Sequence, residues 1–268
     1  MAIDPQRRVT IHELDTAADF LEAGELYRVV FGLQDEAFSL NPRLMSSLRR
    51  FGGSVIGART EAGRLVAFAY GFPGVAGNEQ FHYSQAVVVA PDHQHRGLGR
   101  IMKQEQKQIA LRSSVSRMRW AFDPLLARNA HFNLDVLGAT GRWFFDDFYD
   151  SRDADGSMPS NRMVVEWKLA DRWVGCREKI PLPAEVTDAA SRWGEMTVTD
   201  DGSAWVFIPA IVASHSTSAE GRLAEARAHL AENMTFLFGR GFVAVSCVRL
   251  DELSAVYRFA QTPREVQE

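Results

Sequence analysis

Cysteine is scarce, long apolar runs are absent, and neither sign of charge dominates. The 268 residues hold two cysteines, Cys176 and Cys247. No disulfide framework is expected, and a reducing cytoplasm fits that usage best. No tract reaches the roughly 18 apolar residues that a membrane-spanning helix needs. The opening Met1-Ala2-Ile3-Asp4-Pro5 lacks the basic and apolar regions of a signal peptide. Lysine and arginine number 30 against 34 aspartates and glutamates, a formal net charge of −4. That balance argues against nucleic acid as the main partner. No fixed-period repeat and no low-complexity tract interrupts the chain.

What is present reads as alternating short strands and helices. Residues 9–14 alternate in polarity and predict a strand. Asp15 or Thr16 then caps a helix over 17–30 that ends near Gly32. Asn41-Pro42 opens a second helix, which closes at Gly52-Gly53. Strands are expected over 54–60, 64–71 and 81–89, the first two joined by Glu61-Ala62-Gly63. Ala86 to Val89 is continuously apolar, as in a strand covered on both faces. Further expectations are a helix over 98–112, a strand over 118–122, a helix over 127–137 and a strand over 162–169. The order βααβββαβαβ implies a sheet with helices on its faces. The chain divides on this reading into a domain over 1–170, a connector over 171–204 and a small α+β subdomain over 205–268. The connector carries a short helix near 187–194. The last part has a strand over 205–208, a helix over 219–238 and two paired strands over 242–250 and 255–260. Leu223, Ala226, Leu230, Met234 and Leu237 form one side of that helix.

Chemistry concentrates at Gln94-His95-Arg96-Gly97-Leu98-Gly99. A strand precedes this loop and a helix follows it. Glycines let a backbone approach a ligand closely, and a helix start offers unpaired N–H groups and a positive dipole end. That setting suits a pyrophosphate, with Arg96, Arg100 and Lys103 adding charge. The dinucleotide fingerprint would need a glycine where Met102 stands, and the P-loop pattern is absent. A helix start that simply needs tight packing is the alternative.

The stretch Val87-Val88-Val89-Ala90-Pro91-Asp92-His93-Gln94-His95-Arg96-Gly97-Leu98-Gly99 closely resembles the central motif of the GCN5-related N-acetyltransferase (GNAT) superfamily. The resemblance implies an α/β fold with a mixed, mostly antiparallel central sheet flanked by helices, here with a smaller α+β C-terminal extension. It implies acetyl-CoA or another acyl-CoA as co-substrate. Val87, Val88 and Val89 would lie along the pantetheine arm. Gln94, His95, Arg96, Gly97, Leu98, Gly99 and Arg100 would hold the pyrophosphate. A second stretch, Trp120-Ala121-Phe122-Asp123-Pro124-Leu125-Leu126-Ala127-Arg128-Asn129-Ala130-His131-Phe132-Asn133, is similar to the signature of one GNAT subfamily. Asn129 occupies a family position that often contacts the coenzyme A arm; a helix N-cap or turn role is the alternative.

The catalytic groups are less plain. Direct transfer needs a dipole on the thioester oxygen and a base for the ammonium proton. Many family members place a carboxylate on the strand before the loop, yet Phe81 to Ala86 holds none. Strand alternation puts Tyr83, Gln85, Val87 and Val89 on one face and His82 and Ser84 on the other. Tyr83 and His82, with Gln85 beside them, are the candidates near the reacting groups. His82 has the ordinary pKa better suited to a base. The tyrosine that often protonates the thiolate is replaced by Leu134, which leaves Tyr149 or water. Asp123 either holds the acceptor's ammonium or caps its turn. His93, His95 and His131 match no metal-ligand spacing, so no metal is expected.

These readings point to an acyl-CoA dependent N-acyltransferase acting on a small amine or amino-acid-like acceptor, with no nucleic-acid or membrane partner. An acyl-CoA-binding module without transferase activity and a transferase using an acyl carrier protein are the alternatives. The segment over 205–260 either completes the acceptor side or mediates homodimerisation.

Overall fold

A computed structural model describes residues 9–32, 40–149, 160–170, 181–188, 193–212 and 217–261. Cys176 and residues 189–192 of the expected connector helix lie outside them. The chain forms two compact units, one of residues 1–120 with 168–170 and one of 121–167 with 171–268.

In the first unit, β1 (Val9–Glu13), β2 (Ser54–Thr60), β3 (Leu65–Ala76), β4 (Glu79–Val89) and β5 (Arg117–Phe122) lie side by side in that order. All neighbours are antiparallel except β4 and β5, which are parallel. The helices start where local chemistry says they should. Thr16 and Asp19 form a reciprocal capping box at α1 (Ala17–Phe31), and the Asn41 side chain accepts the amides of Arg43 and Leu44 at α2 (Pro42–Arg50). Each face of the sheet buries its own cluster. Phe20, Met45, Phe68 and Val88 pack on one side. Ile56, Ala67, Ala69, Leu98 and Met102 pack on the other, under α3 (Leu98–Arg112).

β3 runs further than the sequence suggests, through Phe72-Pro73-Gly74 to Ala76, and β4 starts earlier, at Glu79. Proline and glycine at 73 and 74 read as breakers. However, β2 pairs with β3 only as far as Ser54↔Gly71, so beyond that point one side of β3 is an edge. A proline is tolerated where its nitrogen faces such an edge, because no ladder bond is then lost.

In the second unit the strand order is β7 (Arg162–Lys168), β6 (Thr140–Phe145), β10 (Phe242–Arg249), β11 (Ser254–Gln261), β9 (Ala204–Pro209), β8 (Met196–Val198). β10 and β11 pair as expected. β6 and β8 are not expected from the sequence. β6 opens with Thr140-Gly141-Arg142 and runs into an acidic stretch, and β8 is three residues long, so neither carries a usable alternation. The expected helix over 127–137 is α4 (Ala127–His131) followed by a π-helical turn over Phe132–Val136. A short helix, α5 (Ala184–Asp188), precedes β8, earlier than expected. α6 (Thr217–Gly239) buries Ala226, Leu230, Met234 and Leu237, four of the five residues expected on its apolar side.

Candidate active site

β4 is not a regular strand. Tyr70 pairs with Ala86 and Gly71 with Ser84, so Gln85 has no partner on β3 and forms a bulge. The extra residue inverts the alternation. Paired residues of antiparallel neighbours share a face, so His82 (opposite Pro73), Ser84 (Gly71), Val87 (Ala69) and Val89 (Ala67) lie on the α3 side. Tyr83 (opposite Phe72), Ala86 (Tyr70) and Val88 (Phe68) lie on the other. The expectation that Tyr83 shares a face with Val87 and Val89 is therefore corrected.

β4 pairs with β5 only at His82↔Met118 and Tyr83↔Arg119. The ladder ends there, and the rest of that β4 edge leads toward the glycine loop. Pro91–His93 makes one 3-10 turn, and the loop then enters α3. His95 (φ 62°) and Gly97 (φ 80°) are both left-handed. Gly97 is the N-cap of α3 and supplies no side chain, and the first turn of the helix holds no acid. Among the described residues no acceptor meets the amides of His95, Arg96, Gly97, Leu98 or Gly99. Gln94 does not point outward: its Nε2 donates to the Val89 carbonyl at 3.1 Å, tying the loop to the end of β4. His95, Arg96 and Gly97 are exposed, and Leu98 is buried beneath them. A cradle of free amides at a helix start, without a nearby carboxylate from that helix, fits a diphosphate.

Residues 15–138 match the profile of the family described as Acetyltransferase (GNAT) family. The match covers 124 of the 268 residues, a little under half of the chain. The sequence matches no curated protein. Among solved structures it is similar to yncA of Salmonella typhimurium, solved with its cofactor acetyl-CoA (18% identity, TM-score 0.48, 62% of this chain and 96% of that one). It is also similar to a ribosomal-protein-alanine N-acetyltransferase of Escherichia coli (19%, 0.46, 62% and 96%). An aminoglycoside acetyltransferase from an uncultured soil metagenomic sample matches at 16%, with a TM-score of 0.39, over 44% of this chain and 79% of that one.

Within the matched segment, Tyr83 is half-buried at the last β4–β5 pair, its ring 5.3 Å from that of Phe72. His82 is buried, with Nε2 2.9 Å from Ser54 Oγ. Burial, and then the nearby Lys103, push its pKa down to about 4, so the ring is neutral at neutral pH. The longer β4 does contain a carboxylate, contrary to the expectation. Glu79 pairs with Arg119 at 2.6 Å and Arg117 at 3.4 Å.

One expectation about charge is overturned. Lys103 does not flank the loop. It is buried, its Nζ donates to Ser84 Oγ at 2.8 Å, and burial drives its pKa well below the ordinary lysine value. Arg96 and Arg100 remain as the cations of the loop.

The other candidates belong to the second unit. Asp123 accepts the Leu125 amide at 2.9 Å and a bidentate pair from Arg227 at 3.1 and 3.0 Å. Its carboxylate is committed to its turn and to α6. Asn129 is exposed in the middle of α4 and is not the N-cap, which is Leu126. Leu134 is wholly buried. Tyr149 is exposed, with the Arg162 guanidinium over its ring at 5.1 Å. One pair escaped the sequence reading. His131 Nδ1 lies 3.3 Å from Asp135 and 2.9 Å from the Cys247 carbonyl. The hydrogen bond from Asp135 raises the His131 pKa, against a smaller opposing effect of burial. The i, i+4 spacing on one helix was the available signal.

Proposed function

We propose that the protein is an acyl-CoA dependent N-acyltransferase, with acetyl-CoA as donor, that acts on a small amine or amino-acid-like acceptor by direct transfer in a ternary complex. One observation carries this reading: a β4 edge released from β5 leads into a loop whose five successive amides have no acceptor among the described residues. The freed backbone at Val87, Val88 and Val89 would pair with the pantetheine arm. The amides from His95 to Gly99 would hold the diphosphate, with Gln94 anchoring the loop and Arg96 and Arg100 adding charge. The bulged Gln85 leaves its own backbone outside the β3 ladder, where its amide can meet the thioester oxygen.

In this reading Tyr83 is the polar side chain beside the acceptor amine, and water carries the ammonium proton away. His82 supports it from the opposite face. Asp123 caps its own turn, and Asn129 is exposed on α4; both belong to the second unit. The subfamily resemblance of residues 120–133, and a homodimer formed through the last segment, are part of the same proposal. The small negative net charge favours a small-molecule acceptor over nucleic acid.

The test is release of free thiol from acetyl-CoA against a panel of primary amines, with acetyl-CoA affinity measured by calorimetry. Absence of binding would sink the reading. Tyr83→Phe should lower kcat by about 10-fold or more while leaving acetyl-CoA affinity unchanged. The buried Leu134, in place of a proton donor, favours a second reading, a binding module without turnover. Tight acetyl-CoA binding with no thiol release from any amine would decide for it.

A further inference from the structure

α3 turns Met102, Lys103, Gln106, Lys107 and Ala110 toward buried surroundings. The Lys103 residue is 4% exposed. Its Nζ lies 2.8 Å from Ser84 Oγ on β4 and 3.7 Å from the centroid of the Trp120 ring on β5. Ser84 and Trp120 are the residues that directly follow the last β4–β5 pair, Tyr83↔Arg119. The amine therefore stands at the point where the two strands part.

Ser84 is held from a second direction. Its Oγ donates to Gln106 Oε1 at 2.7 Å, and Gln106 Nε2 donates to Ser54 Oγ at 3.0 Å. Ser54 Oγ meets His82 Nε2 at 2.9 Å. With a neutral His82 as the final acceptor, the donors run one way, from Lys103 through Ser84, Gln106 and Ser54 to His82. All five side chains are buried. They join β2, β4 and α3 behind the bulge at Gln85. Gly71 lies opposite Ser84, and a Cβ there would stand 2.6 Å from His82 Nε2, so glycine makes room for the end of the array.

This arrangement is poor for folding. A buried amine with no carboxylate beside it among the described residues loses its hydration for one hydrogen bond and a ring face. Methionine would fill the same space without that loss. Local choices that oppose stability concentrate where function sets the residue.

We propose that Lys103 is a positioning residue for acyl-CoA: by holding Ser84 on β4 and the Trp120 ring on β5, it sets how far the strands part and so shapes the slot for the thioester end of the donor. The inference rests on the acyl-CoA reading above. Lys103 acts through the two strands rather than by touching the acyl group. Because Ser84 directly precedes Gln85, the same tether fixes the bulge and the direction of its backbone amide.

Lys103→Met keeps the apolar stem and removes the amine, whereas Ser84→Ala removes its acceptor. Acetyl-CoA affinity by calorimetry and Tm without ligand are measured for both and for the unaltered chain. Lys103→Met should leave Tm unchanged or raise it while weakening acetyl-CoA binding by about 10-fold. Ser84→Ala should weaken binding in the same direction by a smaller factor. A lysine that serves only the fold gives the opposite pattern, with Tm lowered and affinity within about twofold in either variant. That result overturns the proposal, and if Lys103→Met fails to fold, unchanged affinity in Ser84→Ala overturns it alone. If the unaltered chain binds no acetyl-CoA, the functional reading fails and takes this inference with it. If it binds and the variants bind equally well, only the role of Lys103 fails.

Discussion

His82 shows how one buried side chain ties pH to stability. Its pKa falls from 6.5 to about 4 in the folded chain, mainly through burial. Between those values the unfolded chain carries a proton on this ring and the folded chain does not. Stability therefore rises with pH across the window and is lost as pH falls from 6.5 toward 4. The full effect is about 3 kcal/mol. Other groups titrate in the same range, so the informative quantity is a difference. His82→Asn should flatten the dependence of Tm on pH between 6.5 and 4, measured by calorimetry beside the unaltered chain. Parallel curves for the two proteins would refute the assignment. The residue itself was visible as a candidate in the sequence. Its state was not, because the burial that sets it, and the nearby Lys103, depend on packing between distant parts of the chain.

Elements differ in how much of them the sequence reveals, and the difference follows the range of the interactions. α1, α2 and α3 begin at caps, a proline or glycines, which are local, so their starts are readable. The bulge in β4 is not readable, because Gln85 has no composition mark and becomes extra only when β3 is laid beside it. That single residue moved Tyr83 to the face opposite Val87. Lys103 was misread for a related reason: lysine next to an anion loop suggests surface charge, although Met102, Gln106 and Ala110 share its buried helix. The Asp123–Arg227 pair joins the turn after β5 to α6, both within the second unit, and only the fold brings its partners together. Both side chains are 17% exposed. Removing one partner leaves the other charge largely dehydrated. Arg227→Ala should therefore cost about 2–3 kcal/mol in urea unfolding, and pairing it with Asp123→Asn should recover part of that loss. A loss below about 0.5 kcal/mol would mean that solvent already screens the pair.

At the scale of the whole chain, the strand–loop–helix unit of the candidate site was the legible part, and for a physical reason. Strand, loop and helix start are consecutive in sequence between Val87 and Arg100, so this local geometry is encoded where it is built. The second unit draws β6, β10, β11, β9 and β8 from separated stretches, and β6 and β8 are defined by their partners more than by their own residues. This division yields a test of the whole molecule. A ligand that binds only the folded chain stabilises it by about 2.7 kcal/mol at 100 times its Kd. For a protein of this size that corresponds to a rise in Tm of about 5–10 °C. If the two compact units unfold in separate steps, the rise should be confined to the transition of the unit that contains the loop. Gly97→Val should remove the rise, because a β-branched residue is strained at φ 80° and would displace the amides around it. Calorimetric scans with and without acetyl-CoA, on the unaltered chain and this variant, decide the matter. A Tm that does not move at saturating acetyl-CoA, or one that moves equally in Gly97→Val, would show that the free amides from His95 to Gly99 do not hold the donor.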